Sequence, residues 1–178
     1  MKVEDKEFTV LDSLKDKQVP KAILLNSDDW GYGHFTLDDQ SLEVFEKSVS
    51  KLPGIDKAMV VHQIKLMINN FEYPASRLPV IREQFADETS QTTLDTFYSC
   101  LHKICFESYL PTEDIPVVRQ ETADFFLKKA VKHKDDAELS KYCVGKALIF
   151  SFSKDLLSKA AKWILDDKIA IGDDELKC

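Results

Sequence analysis

Apolar residues at helical spacing run from Asp38 almost to the end of the chain, and this pattern limits the folds that the chain can adopt. In LDDQSLEVFEKSVSKL they recur every three or four positions until Pro53-Gly54 interrupts them. Such spacing places them on one face of an α-helix. Proline, glycine and capping residues separate the later stretches in the same way. The pattern therefore predicts about seven helices of roughly 11–22 residues, joined by short connections.

The second predicted helix, IDKAMVVHQIKLMINNF, is apolar on most of its sides. A helix of this kind lies between neighbouring helices rather than on a surface. Successive helix pairs recur at a spacing of roughly 35–45 residues, although no exact sequence repeat is visible. We therefore predict a mainly α fold of HEAT-like antiparallel helical repeats, an α-solenoid, with a compact helical bundle as the alternative.

A different pattern precedes the helices, in residues 22–38, AILLNSDDWGYGHFTLD. Apolar residues are followed by turn-forming Asn, Ser and Asp residues and then by aromatic residues that alternate with glycine. This pattern predicts a β-hairpin that leads to a helix capped by Asp38, with a further strand around Phe8 and Val10. A hairpin is marginal in water without further strands. We therefore expect two parts, a strand and hairpin segment at 1–37 and a helical domain at 38–178.

Both ends of the chain predict elements that continue elsewhere. The few strands expected before Asp38 are too few for a stable sheet. At the other end, IAIGDDELKC predicts a single helical turn that starts at Asp173. So short a helix is unstable by itself, because its few hydrogen bonds do not offset the free-energy cost of nucleation. We expect the chain to be a fragment of a longer protein, with the helical domain truncated at its C-terminus.

Charge and cysteine usage bear on partners and compartment. The formal net charge of -7 argues against nucleic acid or an anionic membrane as a partner, because both require basic surface. The start MKVEDKEFTV lacks the apolar core of a signal peptide, and no apolar run approaches the roughly 18–20 residues of a spanning helix. The four cysteines form no C-x-x-C pair, which favours free thiols in a reducing compartment. We predict a cytoplasmic protein.

No pattern of catalytic, cofactor-binding or metal-binding residues emerges. The chain contains no His pair at helical i, i+4 spacing, no G-x-S-x-G and no P-loop. Cys100, His102 and Cys105 come closest to a metal cluster, but Cys100 projects to another side of the helix and Cys105 belongs to its apolar stripe, which favours a buried thiol beside an ordinary histidine. The paired aspartates at segment boundaries and the basic stretch 127–134 are typical of helix caps and dipole complements.

The stretch AILLNSDDWGYGHFTLDDQSL resembles the junction between the β-sandwich domain and the helical C-terminal domain in zinc aminopeptidases of the aminopeptidase N family. IDKAMVVHQIKLMINNFEYPASRL resembles the helix–turn–helix that follows in this family, and FSKDLLSKAAKWILDDKIAI resembles a later repeat. The resemblance covers residues 8–178 and is strongest to the bacterial-type, cytosolic members. The junction residues that match are Leu24, Leu25, Asn26, Gly31, Tyr32 and Asp38.

The resemblance implies a role for the chain without catalysis. The family uses a zinc-binding His-Glu-x-x-His helix, whose Glu acts as general base, and a Gly-Ala-Met-Glu-Asn-like segment, and neither occurs here. The chain would then be a non-catalytic C-terminal domain fragment that caps the catalytic chamber and shapes substrate access, with 1–37 as the end of the β-sandwich domain. Zinc would belong to the absent catalytic domain. The expected partners are the catalytic and β-domains, with peptide substrates along the concave face.

Two alternatives remain open at this stage. The chain could be a stand-alone helical-repeat module for protein–protein interaction, without peptidase activity. It could also be an independent enzyme that uses a Cys–His pair, since catalytic partners meet in space rather than in sequence.

Overall fold

The computed structural model describes residues 15–29, 31–155, 157 and 158, and these are mainly helical, as predicted. The five α-helices are α1 (Asp39–Ser48), α2 (Gly54–Asn69), α3 (Gln91–Phe106), α4 (Ile115–Lys132) and α5 (Ala137–Phe150). Three 3₁₀ helices accompany them: Ser27–Asp29, Val49–Lys51 and Ala75–Phe85. Some sequence predictions lie outside the described residues. They concern the strand around Phe8 and Val10, Trp30 in the predicted hairpin, most of the stretch FSKDLLSKAAKWILDDKIAI, and the helical turn predicted at Asp173.

Side-chain caps set the starts of three helices. Asp38 for α1, Ser90 for α3 and Asp136 for α5 each accept a hydrogen bond from the backbone N–H three residues later. Such a bond satisfies one of the free donors in the first turn of a helix. The Asp38 cap of α1 agrees with the sequence prediction.

The segment Ala75–Phe85 follows the Pro74 break in the helical pattern and is a 3₁₀ helix. Pro79 lies inside it and has no N–H to donate to an α-helical ladder. The tighter 3₁₀ turn still buries Leu78 and Phe85 completely, so the apolar positions serve the core as expected.

The helices α2, α3 and α5 lie side by side and run in the same direction. Contacts further along one helix fall further along its neighbour, so the two helices run in the same direction. For α2 and α3 they are Gly54–Thr93 and Lys65–Ser99, and for α3 and α5 they are Asp95–Tyr142, Tyr98–Lys146 and His102–Phe150.

A second group consists of α1, the 3₁₀ helix Ala75–Phe85 and α4, which also share one direction. The chain alternates between the two groups. In the order α1, α2, Ala75–Phe85, α3, α4 and α5, each element belongs to the group that its predecessor does not. The contacts that order this second group are Glu46–Arg77, Ser50–Gln84, Arg82–Glu121 and Phe85–Lys129.

Aromatic rings join the two groups in the core. Phe97 of α3 is fully buried and stacks on Phe85, with ring centroids 4.3 Å apart and an interplanar angle of 8°. Its edge also contacts the ring of Phe125 in α4 at 6.5 Å and 80°. Offset stacks and edge-to-face pairs of this kind add to the burial of apolar surface. Three elements therefore meet at one aromatic side chain.

The described residues of 22–38 contain no strand, where the sequence predicted a β-hairpin. Without partner strands the segment satisfies its backbone groups on the helices instead. The Ile23 N–H donates to Ser41 Oγ at 2.8 Å, and the Leu25 carbonyl accepts from Gln63 Nε2 at 2.8 Å. The segment is thereby attached to α1 and α2.

Glu88 links the start of α3 to α2 through hydrogen bonds and an ion pair. Its carboxylate accepts the backbone N–H groups of Thr89 and Ser90 at 3.0 and 2.9 Å and pairs with Lys57 Nζ at 2.6 Å. Burial raises the pKa of Glu88, but the hydrogen bonds from Lys57 and from the backbone N–H groups outweigh it, so the pKa lies below its usual value. The ionised form is therefore the one that the fold stabilises.

We expect Glu88→Gln to reduce the free energy of unfolding by about 1–3 kcal/mol at pH 7, because the amide cannot accept all three bonds. The wild-type advantage should be full above the ordinary glutamate pKa of about 4.3 and should shrink as the pH falls through the lower folded-state pKa. Urea unfolding at pH 7, 5 and 3 measures the difference, with the exposed Glu113→Gln as control. A difference that does not change with pH would contradict this assignment.

Candidate functional site

The three cysteines of the described chain are buried and free. Cys100 and Cys143 are completely buried, and Cys105 is 4% exposed. Burial raises the pKa of Cys100 and of Cys143 to about 12 and that of Cys105 to about 11. A nucleophile must be the thiolate, so burial leaves these thiols poorly suited to nucleophilic attack at neutral pH.

We expect none of these three thiols to react with a thiol-specific reagent while the protein is folded. The variant Cys178→Ser removes the fourth cysteine, so that the count concerns the three buried positions alone. Titration with a chromogenic disulfide should detect three thiols after unfolding in guanidinium and none before it. A thiol that reacts faster than the protein unfolds would contradict the burial described here.

His102 does not combine with the cysteines to form a metal site. Its ring stacks on Phe106, with centroids 4.5 Å apart, and lies 5.8 Å from the ring of Tyr98. Within residues 15–29, 31–155 and 157–158 no group of three or more His, Cys, Asp or Glu side chains is placed to hold a metal ion. Cys100, His102 and Cys105 therefore do not form such a group among the described residues.

A polar groove lies between α2 and α3. It has a volume of about 290 Å³ and is open to solvent. Lys65 Nζ donates to Ser99 Oγ at 3.2 Å, and Lys103 Nζ pairs with Glu107 at 2.6 Å. The hydrogen bond to Glu107 raises the pKa of Lys103, so the Lys103 side chain is charged at neutral pH. The groove, lined also by Tyr98 and His102, therefore presents ammonium groups that can bind carboxylates.

A third lysine, on α5, extends this surface beyond α3. The Lys146 ammonium lies 4.1 Å from the ring centroid of Tyr98 and 4.9 Å from that of Tyr142, and 3.4 Å from the carboxylate of Asp95. Cation–π contacts hold it over the rings and limit its side-chain freedom. Three parallel helices thus present lysines on one surface. The sequence did not indicate this surface, because Lys65 and Lys146 are far apart along the chain.

One of the basic residues in the stretch 127–134 is buried. Lys129 is 3% exposed, and its Nζ donates to the carbonyl oxygens of Phe85 and Ala86 at 3.0 and 2.9 Å. Lys132 pairs with Asp87 at the surface. Lys129 therefore complements the C-terminal carbonyl groups of the 3₁₀ helix Ala75–Phe85, whereas the sequence predicted a complement to the end of its own helix.

The junction segment, residues 22–37, is organised around Asn26. Asn26 Oδ1 accepts the Gly31 N–H at 2.5 Å, and Asn26 Nδ2 donates to the Gly31 carbonyl at 3.0 Å. A Cβ atom at position 31 would lie 2.7 Å from Asn26 Oδ1, so a larger residue there would displace the Asn26 side chain from this turn. The Asn and Gly that carry the family resemblance are thus the two residues that close this turn.

Two negative findings complete the description. No helix among the described residues combines the length and apolar character needed to cross a membrane. Comparisons with protein-family models, with curated proteins and with solved structures find no match.

Proposed function

We propose that this chain is the non-catalytic helical domain of a cytoplasmic zinc-dependent aminopeptidase, a protein that removes N-terminal amino acids from peptides. The alternation of the chain between two groups of parallel helices supports the helical-repeat part of this proposal. Stacked helix pairs place every second helix in the same layer, which is the geometry of a HEAT-like α-solenoid. The junction residues around Asn26 and Gly31 support the family.

In this proposal residues 1–37 are the end of a β-sandwich domain. The segment 22–37 contacts α1 and α2 through two backbone hydrogen bonds, which is consistent with a connection between a sheet and the helices. Strands would form there when a neighbouring β-domain supplies partners for the free backbone groups. The catalytic zinc and its ligands belong to another part of the whole protein.

The role of the domain is to cap the catalytic chamber and to contact peptide substrates. We assign the contact to the groove of Lys65, Ser99 and Lys103, because two ammonium groups there can bind the carboxylates of a peptide. In the whole protein, Lys65→Gln with Lys103→Gln should raise KM for long acidic peptides and leave the hydrolysis of aminoacyl-arylamides unchanged. An equal effect on both substrates would contradict this assignment.

The experiment that tests the function starts from the gene. The reading frame upstream of Met1 should encode a His-Glu-x-x-His segment, and the whole product should release amino acids from aminoacyl-arylamides until a chelator removes its zinc. The 178-residue chain should be inactive by itself in the same assay. A natural product of this length without an upstream peptidase domain would overturn the proposal in favour of a stand-alone interaction module. Activity of the chain in the presence of a chelator would favour an independent Cys or His enzyme.

A further inference from the structure

A cavity of about 180 Å³ lies between the junction segment and α2. Gln63 lines it and is completely buried. Gln63 Nε2 donates to the Leu25 carbonyl at 2.8 Å, which fixes the orientation of the amide, because the reverse orientation would set two oxygens against each other. Gln63 Oε1 is left buried without a hydrogen-bond partner. A buried acceptor of this kind is costly to leave unpaired, so the cavity suits an occupant that donates a hydrogen bond.

The rest of the described lining favours a cation. The carboxylate of Asp29 borders the cavity, where Asn26 Nδ2 donates to it at 3.1 Å. Phe35, His62 and the fully exposed Tyr32 also line it, and aromatic faces attract cations. The described lining residues include no lysine or arginine that could neutralise Asp29. An amide oxygen, a carboxylate and the ring of Phe35 therefore border the same space.

We propose that this cavity binds a guanidinium group. A guanidinium is planar, carries five N–H donors and is weakly hydrated, so it can donate to Gln63 Oε1 and Asp29 while one face contacts the ring of Phe35. An ammonium is more compact and more strongly hydrated and leaves the ring less well covered. A neutral amide or urea would satisfy Gln63 but would gain nothing from the charge of Asp29. This inference does not depend on the aminopeptidase assignment.

NMR titration of the ¹⁵N-labelled full chain with millimolar ethylguanidinium tests the proposal, with ethylurea as the neutral control of the same shape. We expect saturable shifts of the Gln63 side-chain amide and of the Gly31 and Gly33 N–H groups with ethylguanidinium, and much smaller shifts with ethylurea. Equal shifts with both ligands, or no saturable shift with ethylguanidinium, would overturn the proposal and indicate a water-filled cavity.

Two variants locate the site. Asp29→Asn keeps an oxygen for Asn26 and removes the charge, and it should weaken ethylguanidinium binding about fivefold. The exposed Asp124→Asn, on α4, is the matched control and should leave the affinity unchanged. Gln63→Leu should abolish binding. If Gln63→Leu fails to fold, Asp29→Asn still tests the proposal. An ethylguanidinium affinity of Asp29→Asn equal to that of the wild type would contradict it.

A parallel titration with a peptide shows whether the bound guanidinium comes from an arginine side chain or from a free small molecule. Acetyl-Gly-Arg-Gly-amide presents the same guanidinium on a polypeptide. Binding at least as tight as that of ethylguanidinium would support an arginine side chain of a protein or peptide as the occupant. Binding of ethylguanidinium with exclusion of the peptide would support a free alkylguanidine. Both results support the guanidinium site itself.

Discussion

Replacement of Phe97 by alanine is expected to lower the free energy of unfolding by about 3–5 kcal/mol. The side chain is fully buried, stacks on Phe85 and makes an edge-to-face contact with Phe125, so three elements lose contacts at once. The surrounding helices can close only part of the cavity that the ring leaves, which adds to the lost transfer free energy. The loss is a large fraction of the stability of a domain of this size.

Chemical unfolding followed by circular dichroism measures this effect. Phe71→Ala is the matched control, because Phe71 is 87% exposed and its ring centroid lies 6.2 Å from that of Tyr109. The control should change the unfolding free energy by less than about 1 kcal/mol. A Phe97→Ala protein with the stability of the control would show that the stack of Phe85 and Phe97 does not join the two groups of helices.

The helical content of the fold could be predicted because its signals are local. The apolar positions that recur every three or four residues, such as Phe97, Leu101 and Ile104, are the ones that the structure buries. Capping residues such as Asp38 and Asp136 act within three residues of their own position. Neither signal depends on contacts that are distant along the chain.

The features that the sequence did not indicate depend on contacts between residues that are far apart along the chain. The pattern at 22–38 is typical of a hairpin, but the described residues there form no strand and bond to Ser41 and Gln63 instead, because no partner strand is at hand. The groove joins Lys65 to Ser99 across two helices, and no spacing rule relates positions so far apart. The cavity beside Gln63 is likewise formed by a loop that folds back on a helix.

Lys129→Met is expected to lower the free energy of unfolding by about 2–3 kcal/mol. Methionine fills a similar volume but cannot donate to the carbonyl oxygens of Phe85 and Ala86, which then lose both bonds at the end of the 3₁₀ helix Ala75–Phe85. Removal of a buried charge offsets only part of this loss, because the lysine is already stabilised by two acceptors. The exposed neighbour Lys128→Met is the matched control and should change stability by less than about 0.5 kcal/mol.

The same variant gives a test of the Lys129 ammonium that depends on pH. Burial lowers the pKa of Lys129, so the folded protein releases this proton at a lower pH than the unfolded chain, whose lysines titrate near about 10.4. Stability rises with pH wherever the unfolded state binds more protons. The stability difference between wild type and Lys129→Met should therefore widen as the pH is raised from 7 through the lowered pKa and should level off above the ordinary lysine value. Urea unfolding of both proteins at several alkaline pH values measures it, and a difference that narrows as the pH rises would show that Lys129 is stabilised by the fold chiefly in its charged form.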